Sequence, residues 1–237
     1  MNERLKLSNR LERVASFLPK GANFADIGSD HAYLPCFVCL QDTTATAIAG
    51  EINEGPYTSA KQTVEKYKLT HVIDVRQGDG LAVLAEDEVS QVVIAGMGGA
   101  LIRSILENGR DKLHGVELII AQPNVDEQNV RKWYVENHYR IEAEVILEEN
   151  GHIYEIIVGR KSDTQQPLDP KELLFGPLLL KQGNPLFYQK WQSEHTKLIR
   201  VLKQMSAAKI KDEEKISLFN QQLQWIEEVL RDGKRNN

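Results

Sequence analysis

Between residues 22 and 161 the apolar positions switch repeatedly between two rhythms, short continuous or alternating runs and runs spaced by three and four. Residues 24–27, 44–52, 72–77, 91–95 and 116–121 read as strands. Residues 32–40, 56–67, 101–107 and 127–137 read as the helices between them. Strands that alternate with helices predict a parallel sheet with helices on both faces. The rhythm changes after residue 137. Residues 140–147 and 153–158 are two strand-like runs joined across Asn150-Gly151, a pair that accepts the positive φ angles of a tight hairpin turn. The sheet is therefore expected to close with an antiparallel strand.

Residues 162–170 are polar and proline-containing and read as a linker. A short element over 171–181 leads into two long helical patterns. Ile216, Phe219, Leu223, Ile226 and Leu230 repeat by three and four, and Tyr188, Trp191, Leu198, Leu202 and Met205 fit the same frame. Two such stripes joined over 206–212 predict an antiparallel helical hairpin, a coiled coil in miniature. His195 falls in an apolar slot of the first stripe and reads as a seam residue rather than a ligand. Two domains are expected, 1–161 and 162–237.

Composition and charge narrow the classes. Hydrophobic residues make up 41% and charged residues 27% of 237 residues, values of an ordinary folded protein. No stretch approaches the roughly 20 apolar residues of a membrane span, and residues 1–20 lack the apolar run of a signal peptide. A cytoplasmic protein without a membrane partner is expected. The net charge of −5 is unevenly placed: residues 161–237 carry 13 Lys and Arg against 10 Asp and Glu, leaving 16 against 24 for residues 1–160. The first twenty residues are also basic, with Arg4, Lys6, Arg10, Arg13 and Lys20 against Glu3 and Glu12. Basic ends on an acidic body suit a polyanion, and solvated helix faces are the plainer alternative. Cys36 and Cys39 form a lone C-x-x-C without further ligands at zinc spacing, so no metal is expected and the pair reads as buried helix positions.

In a parallel sheet the strand ends gather on one edge, where ligands bind. Five segments carry chemistry there. Asp26-Ile27-Gly28-Ser29-Asp30-His31-Ala32-Tyr33 joins an acid to a glycine turn and a polar cluster at a helix start. Its spacing is not G-x-G-x-x-G, which argues against a dinucleotide-binding dehydrogenase. Glu51, with Ile52 and Asn53 after it, ends the second strand, where a carboxylate can accept both hydroxyls of a ribose. Asp79, Gly80 and Leu81 form a turn in which Asp79 can accept from an adenine amino group and a backbone N–H can donate to the ring. Gly96, Met97 and Gly98, followed by Gly99, leave room for a methionine portion. Taken singly, a strand-end acid or a Gly-Asp-Gly turn has a plain structural reading. Their order matches S-adenosylmethionine recognition, so Asp26, Gly28, Ser29, His31, Glu51, Ile52, Asn53, Asp79, Gly80, Leu81, Gly96, Met97 and Gly98 are the cofactor candidates.

The fifth segment, Ala121-Gln122-Pro123-Asn124, follows strand five. Asn124 can both donate and accept, as reading a base edge requires, and a helix cap is its alternative role. Asp26, Asp30, Tyr33 and Asn124 are the catalytic candidates. The Asp26 to Pro35 motif, the Gly96-Met97-Gly98-Gly99 loop, Gln122-Pro123-Asn124 and the trailing helical hairpin together resemble the bacterial TrmK family of tRNA adenine(22)-N1 methyltransferases. The resemblance implies a Rossmann-like class I methyltransferase fold, S-adenosyl-L-methionine as methyl donor and tRNA as acceptor. The basic amino-terminal helix and the carboxyl-terminal hairpin are then the candidates for gripping the tRNA backbone, and a monomer is the expected state. A methyltransferase of the same fold acting on a small molecule or a protein, and a non-catalytic interaction module, stay open as alternatives.

Overall fold

A computed structural model describes residues 5–164, 167–208 and 210–235. Glu3 and Arg4 of the basic amino terminus, Gln165 and Gln166 of the expected linker, and Lys209 of the expected helix connection lie outside them. The chain forms two compact units, Met1–Asp169 and Pro170–Asn237.

In the first unit, helix α1 (Asn9–Ala15) starts at Ser8, whose hydroxyl accepts the Leu11 N–H. Strand β1 (Asn23–Ile27), helix α2 (Tyr33–Gln41), strand β2 (Thr46–Glu51), helix α3 (Glu54–Lys66) and strand β3 (Ile73–Gln77) follow. A 3-10 turn over Gly80–Val83 leads to β4 (Gln91–Met97), α4 (Gly99–Asn108), a second 3-10 turn over Arg110–Leu113, β5 (Leu118–Pro123) and α5 (Glu127–Glu136). The unit closes with β6 (Tyr139–Glu149) and β7 (His152–Lys161).

These strands make one seven-stranded sheet in the order β3-β2-β1-β4-β5-β7-β6. The first five are parallel, and β7 runs antiparallel to both β5 and β6. The turn between β6 and β7 is made by Asn150 and Gly151, at φ 52° and 78°, the left-handed pair that a two-residue hairpin needs. The chain winds outward from β1 to β3 and then returns to place β4 on the other side of β1. That reversal opens the crevice in which sheets of this kind hold ligands.

The core fills both faces. Val14, Leu34, Ala60 and Val64 from the helices pack with Phe24, Ala47, Ala49, Val93 and Ile120 of the strands in one buried cluster, each large side chain contributing about 1.5–3 kcal/mol. Beneath the hairpin lies a polar exception. Arg131 of α5 is fully buried, donating from Nε to Glu144 Oε1 of β6 at 2.6 Å and from Nη2 to Glu155 of β7.

Cys36 and Cys39 are both free thiols, 0% and 3% exposed inside α2. Burial pushes Cys36 up to about 12 and Cys39 up to about 11, so neither presents a thiolate near neutrality. Native protein at pH 8 is expected to resist a thiol-labelling reagent and to take up two equivalents once unfolded. Fast labelling of the native protein would contradict this placement.

The second unit begins with α6 (Pro170–Phe175) and α7 (Pro177–Gln182). The sequence pattern suggested one element here, but Gly176 sits at φ 86° and Pro177 follows it, so the helix breaks. Two long helices follow, α8 (Pro185–Ala207) and α9 (Glu213–Arg235). They run antiparallel: Tyr188, near the start of α8, lies against Gly233 near the end of α9. His195, at mid-length, has its Nε2 3.4 Å from Glu227. Phe175, Phe187 and Trp191 form the aromatic heart of this unit, with the Phe175 and Trp191 rings 4.4 Å apart edge to face. No helix among the described residues is long and apolar enough to cross a membrane.

Candidate active site

Strand register brings the five predicted segments to one edge. Ile27 pairs with Gly50 on one side and with Ile94 on the other, Glu51 pairs with Gln77, and Ile94 pairs with Ala121. The residues that follow these positions all leave the sheet in the same direction.

Asp26, the penultimate residue of β1, is 4% exposed. Its Oδ2 accepts the Ser29 hydroxyl at 2.6 Å. Burial raises its carboxyl to about 7, the Ser29 hydrogen bond opposes the rise, and the nearby charges of Glu51 and Asp30 add to it. Between these residues the chain turns at Gly28, φ 70°, whose N–H donates to the Gly50 carbonyl at 2.9 Å. A Cβ at Gly28 would lie 2.2 Å from the Met97 methyl group, so the β1 and β4 loops touch only because a side chain is missing.

The next three residues are unusual. Asp30, His31 and Ala32 lie consecutively at φ 43°, 70° and 56°, all left-handed and none of them glycine. Ala32 caps α2 without any side-chain hydrogen bond. The Asp30 N–H donates to Glu51 Oε1, tying the loop to the end of β2. The imidazole of His31 stacks on Tyr33 at 5.3 Å and 24°, with Nε2 3.4 Å from the Asp30 carboxylate. Asp30 and Tyr33 point outward, at 84% and 42% exposure. Glu51 is 6% exposed, and burial raises its carboxyl above the usual range despite the Asp30 N–H.

Ile52 and Asn53 lie exposed at the start of α3. Asp79 is exposed ahead of the 3-10 turn. The first hydrogen bond of that turn is Ala82 N–H to the Asp79 carbonyl, so the N–H groups of Gly80 and Leu81 precede it. These residues share the edge with the Asp26 loop, and no side-chain hydrogen bond joins the two groups among the described residues.

On the other side of Asp26, β4 and β5 end in a closed ring of amides. The ladder skips Gly96: Ala95 pairs with Gln122 and Met97 with Pro123. Side chains take up the backbone groups that this bulge releases. The Gly96 N–H donates to Gln122 Oε1 at 3.0 Å, Gln122 Nε2 donates to Asn124 Oδ1 at 3.2 Å, and Asn124 Nδ2 donates to the Gly96 carbonyl at 2.8 Å. Backbone groups cannot exchange donor for acceptor, so the ring fixes both amide orientations. Asn124 keeps one N–H and one oxygen lone pair for a ligand. The loop is tight: a Cβ on Gly99 would meet the Asp126 carbonyl oxygen at 2.1 Å.

Gln122 lies within the fifth segment, but neither it nor Arg10 nor Glu149 is among the catalytic or cofactor candidates of the sequence. Arg10 of α1 donates from Nη1 to Gln122 Oε1, and its guanidinium lies over the Tyr154 ring at 4.9 Å. A signal was present. Arg10 lies one turn before Val14, so a cation occupies the inward face of α1. It faces the protein interior, unlike the solvent-facing role suggested by the charge count.

A sheet of this order closed by an antiparallel strand, with acids ending β1 and β2 and a glycine loop after β4, belongs to the Rossmann-like methyltransferases. Family membership is more specific. The chain belongs to the TrmK family, tRNA (adenine(22)-N(1))-methyltransferase, matching it over residues 24–228. The tRNA (adenine(22)-N(1))-methyltransferase of Bacillus subtilis (strain 168) is 45% identical over 239 residues, which include 98% of this chain and 100% of that protein. The crystal structure of the B. subtilis M1A22 tRNA methyltransferase TrmK matches with a TM-score of 0.87 at 43% identity, over 95% of this chain and 99% of that one. M. capricolum TrmK in complex with S-adenosyl-homocysteine matches with a TM-score of 0.82 at 29% identity, over 95% and 98% of the two chains.

Proposed function

We propose that this chain transfers the methyl group of S-adenosylmethionine to N1 of adenine 22 in tRNA. The observation that carries the reading is the arrangement of the edge. Acids end β1 and β2, and a side-chain-free contact at Gly28 separates them from an oriented amide at the end of β5. The relatives supply the acceptor and its position.

The residues present suit the cofactor. Glu51 keeps one carboxylate oxygen beyond the one that holds the Asp30 N–H, which fits a ribose hydroxyl. Asp79 and the N–H groups of Gly80 and Leu81 match an adenine edge. Gly28, Gly96 and Gly98 leave backbone exposed beside Met97, and Asp26 with Ser29 and His31 supplies polar groups for the methionine portion. Ile52 and Asn53 flank the ribose position. When bound, the cofactor supplies an electrophilic methyl group on a sulfonium.

The protein's own task is alignment in a pocket that excludes water. Adenine N1 carries an in-plane lone pair, so no base has to remove a proton before attack. The spare N–H and lone pair of Asn124 are suited to grip the base edge. The His31 and Tyr33 rings offer a stacking surface, and the Asp26 and Asp30 carboxylates stabilise positive charge arriving on the base. Because N1 is occupied in a base pair or tertiary contact, the nucleotide must leave its stack to react. Exposed Lys197, Arg200 and Lys203 on α8 are suited to the tRNA backbone, with the salt dependence that phosphate contacts bring. The active species is taken to be a monomer acting in the cytoplasm.

Nucleoside mass spectrometry of tRNA treated with the protein and S-adenosylmethionine tests this. N1-methyladenine is expected with wild type, none with a transcript in which adenine 22 is replaced by guanine, and about 100-fold less with Asn124→Ala. Undiminished methylation of the guanine-22 transcript would overturn the position. A product other than N1-methyladenine would overturn the reaction.

A further inference from the structure

Gln122 has no exposed surface, and every hydrogen-bonding position of its amide is filled. Oε1 accepts from the Gly96 N–H and from Arg10 Nη1, and Nε2 donates to the Pro123 carbonyl at 2.9 Å and to Asn124 Oδ1 at 3.2 Å. Two donors that cannot become acceptors converge on one oxygen, and this forces the nitrogen toward Asn124. Arg10 is the one charged member of this ring. It reaches Gln122 from 112 residues away in sequence.

Arg10 is itself held on three sides. Its backbone N–H donates to Glu149 Oε1 at 3.2 Å, its Nε lies 3.6 Å from Glu149 Oε2, and its guanidinium covers Tyr154. Glu149 ends β6 and Tyr154 lies on β7, so the closing hairpin fixes the arginine and the arginine fixes the amide. The Nη1 group also sits beside the β4 bulge, 3.7 Å from where a Cβ of Gly96 would be.

We propose that Arg10 is a positioning residue for methyl transfer, acting through Gln122 to hold Asn124 with a set donor and a set acceptor toward the target base. The inference rests on the role given above to Asn124 and extends the working site to α1 and the hairpin. A hydrogen bond from a cation is stronger than one from a neutral donor. Removing it leaves a buried amide oxygen with one partner fewer and the ring free to loosen, and small misplacements of an aligning group have large kinetic effects.

The test is a double-mutant cycle with Arg10→Ala, Asn124→Ala and the combined variant, assayed on a tRNA transcript, with S-adenosylhomocysteine affinity measured by calorimetry. Arg10→Ala is expected to lower kcat by about 10- to 100-fold and to leave S-adenosylhomocysteine affinity unchanged. The combined variant is expected to be no slower than Asn124→Ala. Arg10→Lys, which keeps the cation, is expected to fall between Arg10→Ala and wild type, and it decides the matter if Arg10→Ala does not fold. Losses that multiply in the combined variant would show that Arg10 acts independently of Asn124 and would overturn the inference alone, as would full activity of Arg10→Ala. Full activity of Asn124→Ala would overturn both the inference and the role of Asn124 on which it rests.

Discussion

Asp26→Asn is expected to make the protein more stable at pH 8 and nearly inactive. The Asp26 carboxyl is raised from 3.8 to about 7 in the fold, chiefly by burial. Between those values the native protein binds a proton that the unfolded chain has released. Stability therefore falls as pH rises from about 4 to about 7, then levels off. Three pKa units at about 1.4 kcal/mol each place the penalty at about 4 kcal/mol. Asparagine is nearly the same shape, still accepts the Ser29 hydroxyl and never ionises, so it escapes this penalty. Melting curves of the two proteins are expected to coincide near pH 4 and to separate by roughly 8–16 °C at pH 8. Methyl transfer is expected to drop by about 100-fold or more, because the role proposed for Asp26 needs its negative charge. A gap that does not change with pH would show that Asp26 is not held neutral. A stability gain joined to lost activity is the usual mark of a residue kept for chemistry.

The second large effect lies beneath the hairpin. Arg131→Met is expected to cost about 3–5 kcal/mol at pH 7, because it strands the buried carboxylates of Glu144 and Glu155 without their shared cation. Urea unfolding at pH 7 measures it, and a loss below about 1 kcal/mol would show that the two carboxylates do not depend on this cation. Replacing all three residues with apolar ones of similar size is expected to recover much of the loss, since the ion pairs repay little beyond their own desolvation.

Much of this was legible in the chain. The alternation of rhythms predicted five parallel strands, and Asn150-Gly151 predicted the closing hairpin, because both signals are local. The candidate residues fell on one edge because strand polarity alone puts them there. Other features depend on contacts that no local pattern encodes. The start of α2 shifted by one residue because Ala32 adopts a left-handed conformation that its side chain does not advertise. The amide ring depends on the ladder skipping Gly96, and a bulge needs both strands to be seen. Arg10 joins Gln122 and Glu149 across 112 and 139 residues, so its inward role appears only once the sheet is assembled. Near the carboxyl end, the break between α6 and α7 had a visible cause in Gly176-Pro177, and the apolar spacing across it masked that cause.

The run of left-handed residues at Asp30, His31 and Ala32 has a consequence for how this loop can change. Each non-glycine residue in that conformation costs about 1–2 kcal/mol relative to a comfortable backbone, and glycine would remove the cost. Three glycines would make the same turn with less strain and would erase the carboxylate, the imidazole and the methyl group it displays. The loop thus trades comfort for display. Its easiest stabilising substitutions are also those that would strip it of chemistry, so the route to a hardier protein and the route to a blank surface begin at the same three positions.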